Sequence, residues 1–379
     1  MRAQIHAIRD RFKEVDVRPG GIADFALGPT EEVGLEALAD PRWSLYSLDI
    51  AREEAVFVEL PPGADLAEAP FVGVMQFRSA VRAAVAPLAA LETLASLAGP
   101  QPPPVLVYSM GRCGSTLLNA MLNASGALWS LSEPWAVDMI LLGQAQLGRA
   151  RAVALLRAAA AVLARPPAAR RGQRLAMKFR ASTLFSAPSL EEAFPGADNV
   201  FLYREAIGWA KSRQRLRGII FRQIGAQPTG SAPVGAQPGG SPNYFRILGG
   251  GADVARLARI FGFDLDSATD AEVLAASWAA FLEGLDAMRM AGMKAFALRY
   301  DDLMRDRQAL ARLFAHLRAP PPSEAALEAI LSADSQAGTS IARDASAEAL
   351  SAAQIEDMLR TLARHPVYGA PDARLAEAP

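Results

Sequence analysis

The chain has 379 residues, 51% of them hydrophobic, with 39 lysines and arginines against 40 aspartates and glutamates. That is long enough to bury one large core and to leave room for a second small unit. Near-neutrality excludes a general nucleic-acid coat and a polybasic membrane anchor, so any anion site has to be local.

The start, Met1-Arg2-Ala3-Gln4-Ile5-His6, lacks the apolar run of a signal peptide. No stretch of about 18 apolar residues occurs to span a bilayer. The expected location is cytoplasmic, with neither membrane nor nucleic acid as a partner. One cysteine, Cys113, excludes an internal disulfide framework and a clustered thiolate metal site. His6, His316 and His365 are scattered without ligand spacing, so no metal is expected.

Residues 1–98 form a candidate N-terminal accessory unit of strands plus a helix. Trp43-Ser44-Leu45-Tyr46-Ser47-Leu48 and Ala55-Val56-Phe57-Val58-Glu59-Leu60 read as paired strands, and a helix is expected from about Val74 to Ala98. Gly99-Pro100-Gln101-Pro102-Pro103-Pro104 then makes a stiff connector, after which the main domain runs over 104–379. Its first element, Val105-Leu106-Val107-Tyr108, is the apolar run of a strand buried on both faces.

A loop, Ser109-Met110-Gly111-Arg112-Cys113-Gly114-Ser115-Thr116, follows at once and leads into a helix at Thr116–Leu122. Further strands are expected at Leu175–Phe179, Asn199–Tyr203 and Ala295–Tyr300, separated by helices over 134–164, 206–222, 253–261 and 270–291. This alternation predicts a three-layer α/β/α fold with a mostly parallel central sheet, whose ligands sit at the carboxyl ends of the strands. The Gly/Pro/Ser-rich tract 225–243 reads as a mobile loop, either a surface insertion or a lid over a bound acceptor.

A strand that turns into a helix through Gly111, Arg112, Cys113, Gly114, Ser115 and Thr116 aims backbone N–H groups and the positive end of a helix dipole at one point, where a phosphate would sit. The glycines permit tight curvature, the two hydroxyls add donors, and Arg112 adds a full charge. Gly114 precedes Ser115 where nucleoside triphosphatases carry lysine. Lys178 and Arg204 end the other strands where Mg²⁺ coordination needs a carboxylate. Taken alone, the loop is weak evidence, since a kinase or a plain strand-to-helix turn could also explain Gly111 to Thr116.

With two further segments the chain resembles the PAPS-dependent sulfotransferases, which use 3′-phosphoadenosine 5′-phosphosulfate (PAPS), in their bacterial branch. In Val200-Phe201-Leu202-Tyr203-Arg204-Glu205-Ala206-Ile207-Gly208-Trp209-Ala210-Lys211-Ser212 a strand ends on arginine and a serine follows eight residues later, the family's 3′-phosphate signature. Ala206 stands where the family usually has proline. Leu298-Arg299-Tyr300-Asp301-Asp302-Leu303 resembles a late strand-and-helix start, with Asp301 or Asp302 as a helix cap. The motifs cover 105–303 and leave 1–95 unassigned.

The resemblance implies a P-loop-like sulfotransferase fold and transfer of a sulfuryl group to a hydroxyl or amine of a small molecule. Arg204 and Ser212 would hold the 3′-phosphate, and the loop the 5′-phosphosulfate. Lys178 and Arg112 would stabilise the leaving group. Cytosolic relatives carry a catalytic histidine two residues after this lysine; here Arg180 stands there. Other branches use a glutamate beyond the helix that follows the loop, which makes Glu133 the candidate base and Asp138 the fallback. Ser132-Glu133-Pro134 also fits an ordinary helix start capped by Ser132. Rival readings are an ATP-dependent kinase and a non-catalytic nucleotide-binding protein that keeps the fold.

Overall fold

A computed structural model describes residues 1–13, 17–165, 167, 170–223, 254–264, 267–339, 341–342 and 350–377. The tract 225–243, read as a mobile loop, lies outside them.

The first hundred residues build an antiparallel sheet. β1 (Arg2–Arg11), β2 (Phe25–Gly34), β3 (Trp43–Asp49), β4 (Glu54–Glu59) and β5 (Arg82–Pro87) lie in the order β2-β1-β5-β4-β3. The expected pairing of β3 with β4 is present, Trp43 opposite Glu59 and Asp49 opposite Glu54. The single helix expected over Val74–Ala98 is instead α1 (Val72–Ser79), β5 and α2 (Ala90–Ala98). Its alanines read as helix formers, but Ala83, Ala84 and Ala86 are buried in a strand between β1 and β4. Tertiary pairing overrides a weak local preference there.

Beyond the proline connector, β6 (Val105–Ser109), β7 (Leu128–Ser132), β8 (Arg174–Lys178), β9 (Asp198–Tyr203) and β10 (Ala295–Arg299) form an all-parallel sheet in the order β10-β9-β6-β8-β7. Every residue of β6, β7 and β10 is buried, as both-face packing requires. β7 has no counterpart in the sequence reading.

The helix expected over 134–164 is three: α4 (Trp135–Leu142), α5 (Gln144–Leu147) and α6 (Arg149–Leu163). They are broken at Gly143 and at Gly148, the latter with φ +75°, where a left-handed backbone stops a helix. α7 (Ala187–Ala193), α8 (Ala206–Gln223), α9 (Val254–Phe261) and α10 (Asp270–Met290) follow. After β10 come α11 (Tyr300–Arg305), α12 (Arg307–His316), α13 (Glu324–Ser332) and α14 (Ala352–Leu362).

α3 (Ser115–Ala124) packs on β7 and β8 with α13 beside it. α6 packs against α7, and α10 against β10 and α14. This is the three-layer α/β fold with a mostly parallel sheet, joined to an antiparallel N-terminal sheet. The two sheets share one continuous apolar core: α4 and α6 pack on β3, α2 on α6, and the 3-10 helix Leu66–Glu68 on β7. Among the described residues no helix is long and apolar enough to cross a membrane.

After β6 the chain moves to β7 on one side, and it later returns through β8 to β9 and β10 on the other. The strand order therefore reverses at β6, the position at which the loops of open α/β sheets leave a ligand crevice beyond the carboxyl ends of the strands.

Candidate active site at the carboxyl ends of the parallel strands

Because all five strands point the same way, each delivers its terminal residues to one edge: the glycine loop from β6, Glu133 from β7, Lys178 and Arg180 from β8, Arg204 from β9 and Tyr300 from β10. The loop is left-handed at Gly111 (φ +67°), Arg112 (φ +56°) and Gly114 (φ +84°), the last being the N-cap of α3. At Gly114 only glycine fits, since an added Cβ would meet Tyr300 Cδ2 at 2.8 Å and Leu303 Cδ2 at 3.0 Å. Met110 N–H continues the sheet by donating to the Leu202 carbonyl (3.2 Å), and the Trp209 indole N–H donates to the Met110 and Gly111 carbonyls (3.2 and 2.9 Å). The loop is thereby tied to β9 and α8.

Cys113 lies with the loop but not as a reactive thiol. Its Sγ is buried against the Leu202 carbonyl at 3.4 Å, and burial pushes its pKa up to about 11. The hydroxyls of Ser115 and Thr116 sit in the first turn of α3, both nearly buried.

On one side of the loop Glu133 and Lys178 are linked twice. The Glu133 backbone N–H donates to the Lys178 carbonyl (2.7 Å), and the Lys178 ammonium donates to Glu133 Oε1 (2.5 Å). Glu133 takes φ +54°, a conformation that costs a non-glycine residue about 1–3 kcal/mol and that turns the side chain back over the end of β8. Burial raises the Glu133 pKa, but Lys178, Arg180 and Arg112 outweigh it, so the carboxyl titrates below its ordinary range. The Phe71 ring, from the N-terminal unit, faces the Lys178 ammonium at 5.3 Å. Ser132 does not cap α4: its Oγ is buried without a hydrogen-bond partner among the described residues, and Pro134 is the N-cap. Asp138, one turn on, is buried, and desolvation raises its pKa to about 7 against the pull of Arg180.

On the other side Arg112 Nε donates to Ser212 Oγ (3.1 Å) and its Nη1 to Gln336 Oε1 (2.8 Å). Burial, with Arg213 and Arg204 close by, lowers the Arg112 pKa to about 10. Arg204 stacks on Tyr300, its guanidinium carbon 4.4 Å from the ring centroid, and the Trp278 indole N–H holds the Arg204 carbonyl at 2.9 Å. Gly208 leaves room for this arginine, since a Cβ there would meet Arg204 Nη2 at 2.8 Å. The residues expected at the 3′-phosphate, Arg204 and Ser212, thus stand around Arg112.

Arg213, Gln336 and Tyr300 complete the group and were not legible as site residues. Tyr300 lies in the segment 298–303, whose pattern reads as a strand and helix start, and the other two carry no spacing signal. Asp301 and Asp302 are not caps. Arg299 is the N-cap of α11 without a side-chain bond; Asp301 pairs with Arg299 (3.1 Å) and Asp302 with Arg374 (3.2 Å). Trp135, flanking Glu133, is core: it packs edge-on against Tyr46 and under the Lys13 ammonium.

A segment near the end of the described chain braces this edge. Ala206 N–H donates to the Pro371 carbonyl (2.8 Å), Leu375 N–H to the Tyr203 hydroxyl (3.0 Å), Arg299 Nη1 to the Asp372 carbonyl (3.0 Å) and Ala297 N–H to the Glu377 carbonyl (2.7 Å).

No protein-family model matches the chain, and no curated protein does. Among solved structures the chain is similar to a sulfotransferase domain from the curacin biosynthetic pathway, at 17% identity over 62% of this chain and 80% of that one, TM-score 0.36. It is also similar to a sulfotransferase domain from the Synechococcus PCC 7002 olefin synthase, at 18% identity over 69% of this chain and 94% of that one, TM-score 0.34.

Proposed function

We propose that the protein is a sulfotransferase that moves a sulfuryl group from PAPS to a hydroxyl or amine of a small-molecule acceptor, leaving adenosine 3′,5′-bisphosphate. The observation that carries this reading is the crowding of Arg204 and Arg213 around Arg112, which itself donates to Ser212. Like charges brought together in a partly buried site repel, and a bound dianion relieves that repulsion.

Cationic groups on both sides of the loop suit a donor with two anionic ends. Arg204, Ser212 and Arg213 would receive the 3′-phosphate, and the loop N–H groups the 5′-phosphosulfate. The resemblance puts Arg112 with the loop at the leaving group; its bonds to Ser212 and Gln336 favour the 3′-phosphate end instead.

Sulfuryl transfer gathers charge on the leaving phosphate oxygen, so fixed cations are the main requirement. Lys178 fits that role. Glu133, kept ionised by the cations beside it, would take the acceptor's proton. As the proton arrives, the carboxylate's hold on Lys178 weakens and the ammonium becomes available to the leaving oxygen. No metal enters this scheme.

Thermal unfolding tests it. Adenosine 3′,5′-bisphosphate in the presence of EDTA should raise Tm, since ligand at a hundredfold over Kd adds about 2.7 kcal/mol. A response only to ATP with Mg²⁺ would replace the reading with a kinase. Binding without turnover of labelled PAPS across a broad acceptor screen would replace it with a non-catalytic nucleotide-binding protein.

A further inference from the structure

Arg180 is held in the crevice without being satisfied there. Its Nε lies 3.8 Å from Glu133 Oε2 and 3.8 Å from Asp138 Oδ2, close enough for ion pairing and too far for hydrogen bonds. Its Nη1 is buried with no hydrogen-bond partner among the described residues, and so is Asp138 Oδ2. A guanidinium carries five N–H donors in a fixed fork, and leaving one buried and unmade is costly. The next residue, Ala181, is the neighbour that a Cβ on Gly111 would meet at 3.4 Å. The chain just after Arg180 therefore runs against the glycine loop, while the Arg180 side chain faces Glu133 and Asp138.

We propose that Arg180 is a catalytic residue that donates to the non-bridging oxygens of the sulfuryl group, and that Asp138, facing the same guanidinium beside Glu133, weakens that contact when it is ionised. This rests on the sulfotransferase reading above. Two carboxylates at ion-pair distance fix the guanidinium while leaving its N–H groups for a third, anionic partner. The sulfuryl group supplies one next to the loop. In the transfer the bond from sulfur to the 5′-phosphate oxygen breaks, its electron pair staying on that oxygen. The bond from sulfur to the acceptor atom forms, and the acceptor's proton goes to Glu133. Arg180 keeps its charge and its contact to the sulfuryl oxygens throughout.

Asp138 makes the contact pH-dependent. Facing it are Arg180 and Lys178 from the end of β8, Glu133 from the end of β7 and Thr183 from the 3-10 helix Ala181–Ser186. With Asp138 ionised, Arg180 is neutralised on two sides and a further negative charge stands near the sulfuryl group. With Asp138 protonated, both effects are removed, so the sulfuryl group is held more tightly below about pH 7.

The experiment compares equilibrium affinities for PAPS and for adenosine 3′,5′-bisphosphate by calorimetry, which needs no acceptor. The ratio of the two affinities reads the sulfuryl contact alone. Arg180→Gln should lower that ratio about tenfold or more, the size of a lost charged hydrogen bond, while affinity for the bisphosphate changes less than twofold. Arg180→Lys, which keeps the charge and loses the fork, should fall between; it also serves if the glutamine variant does not fold.

In the wild-type protein the ratio should rise as pH falls from 8 to 6 relative to Asp138→Asn, the nucleotides' own titration being common to both proteins. An unchanged ratio in the arginine variants overturns the role of Arg180. Parallel pH curves for the wild-type protein and Asp138→Asn overturn that of Asp138. A wild-type protein that binds neither nucleotide overturns the donor assignment itself, and this inference falls with it.

Discussion

Lys178 Nζ stands 2.5 Å from Glu133 Oε1, with the two side chains 3% and 17% exposed. Glu133 thus keeps one face toward the crevice while its countercharge is enclosed between it and Phe71. An ion pair in this setting adds little net stability, but removing one partner leaves the other stranded.

Lys178→Met should accordingly destabilise the fold by about 3–5 kcal/mol in urea unfolding. Combining it with Glu133→Gln should cost less than the two single changes added together. The lowered Glu133 pKa means that its contribution is fully present above the ordinary value of 4.5 and is lost as pH falls through the lower folded value. Glu133→Gln alone should reduce turnover about 10²–10⁴-fold, the usual worth of a general base. Affinity for adenosine 3′,5′-bisphosphate should stay nearly unchanged.

Asp138 has the opposite sign. Its folded pKa of about 7 exceeds the ordinary 3.8, so the folded state holds a proton that the unfolded chain has released, and stability falls as pH rises through that window. At about 1.4 kcal/mol per unit the penalty reaches up to about 4 kcal/mol above pH 7. Asp138→Asn should therefore raise Tm relative to the wild-type protein. The gain should be small near pH 4, grow toward pH 7 and level off beyond it in thermal melts across that range.

Gly114→Ala combines a left-handed backbone with a collision against Tyr300 and Leu303. The backbone alone should cost about 1–3 kcal/mol. Displacement of Tyr300 also removes the surface on which Arg204 stacks. The expected result is a lowered Tm together with weakened nucleotide binding, measured on the same preparation by melting and calorimetry.

Arg204→Ala should remove a charged contact worth about 1.5–3 kcal/mol to the 3′-phosphate. Binding of adenosine 3′,5′-bisphosphate should then approach that of adenosine 5′-monophosphate, whose own affinity is little altered. Ser212→Ala should act in the same direction and less strongly, because a neutral hydroxyl contributes less than a guanidinium even though Arg112 also loses a partner. Equal losses for both nucleotides would place Arg204 outside the 3′-phosphate site.

The parallel sheet was legible where strands are buried on both faces, since Val105–Tyr108 and Ala295–Arg299 can read as little else. β5 was hidden by alanines whose local preference is helical, and β7 by Ser130 and Ser132, which break its apolar run. In the site, Arg204 and Ser212 could be found because they lie on one strand and the helix after it. Gln336 reaches Arg112 from 224 residues away, and Phe71 reaches Lys178 from the N-terminal unit. Long-range contacts of this kind leave no trace in local spacing. Arg180 was visible only as a residue standing where a histidine was expected, and its two carboxylate neighbours give it a context.

The brace formed by Pro371, Asp372, Leu375 and Glu377 places the crevice late in the order of synthesis. The glycine loop, Glu133, Lys178 and Arg204 all leave the ribosome more than 160 residues before Pro371. Until that residue emerges, the Ala206 N–H at the start of the Arg204 helix has no carbonyl to hold it, and β10 keeps an open edge. A nascent chain stalled before this point would carry every motif read from the sequence and still lack the bonds that set Arg204 and Tyr300 against each other.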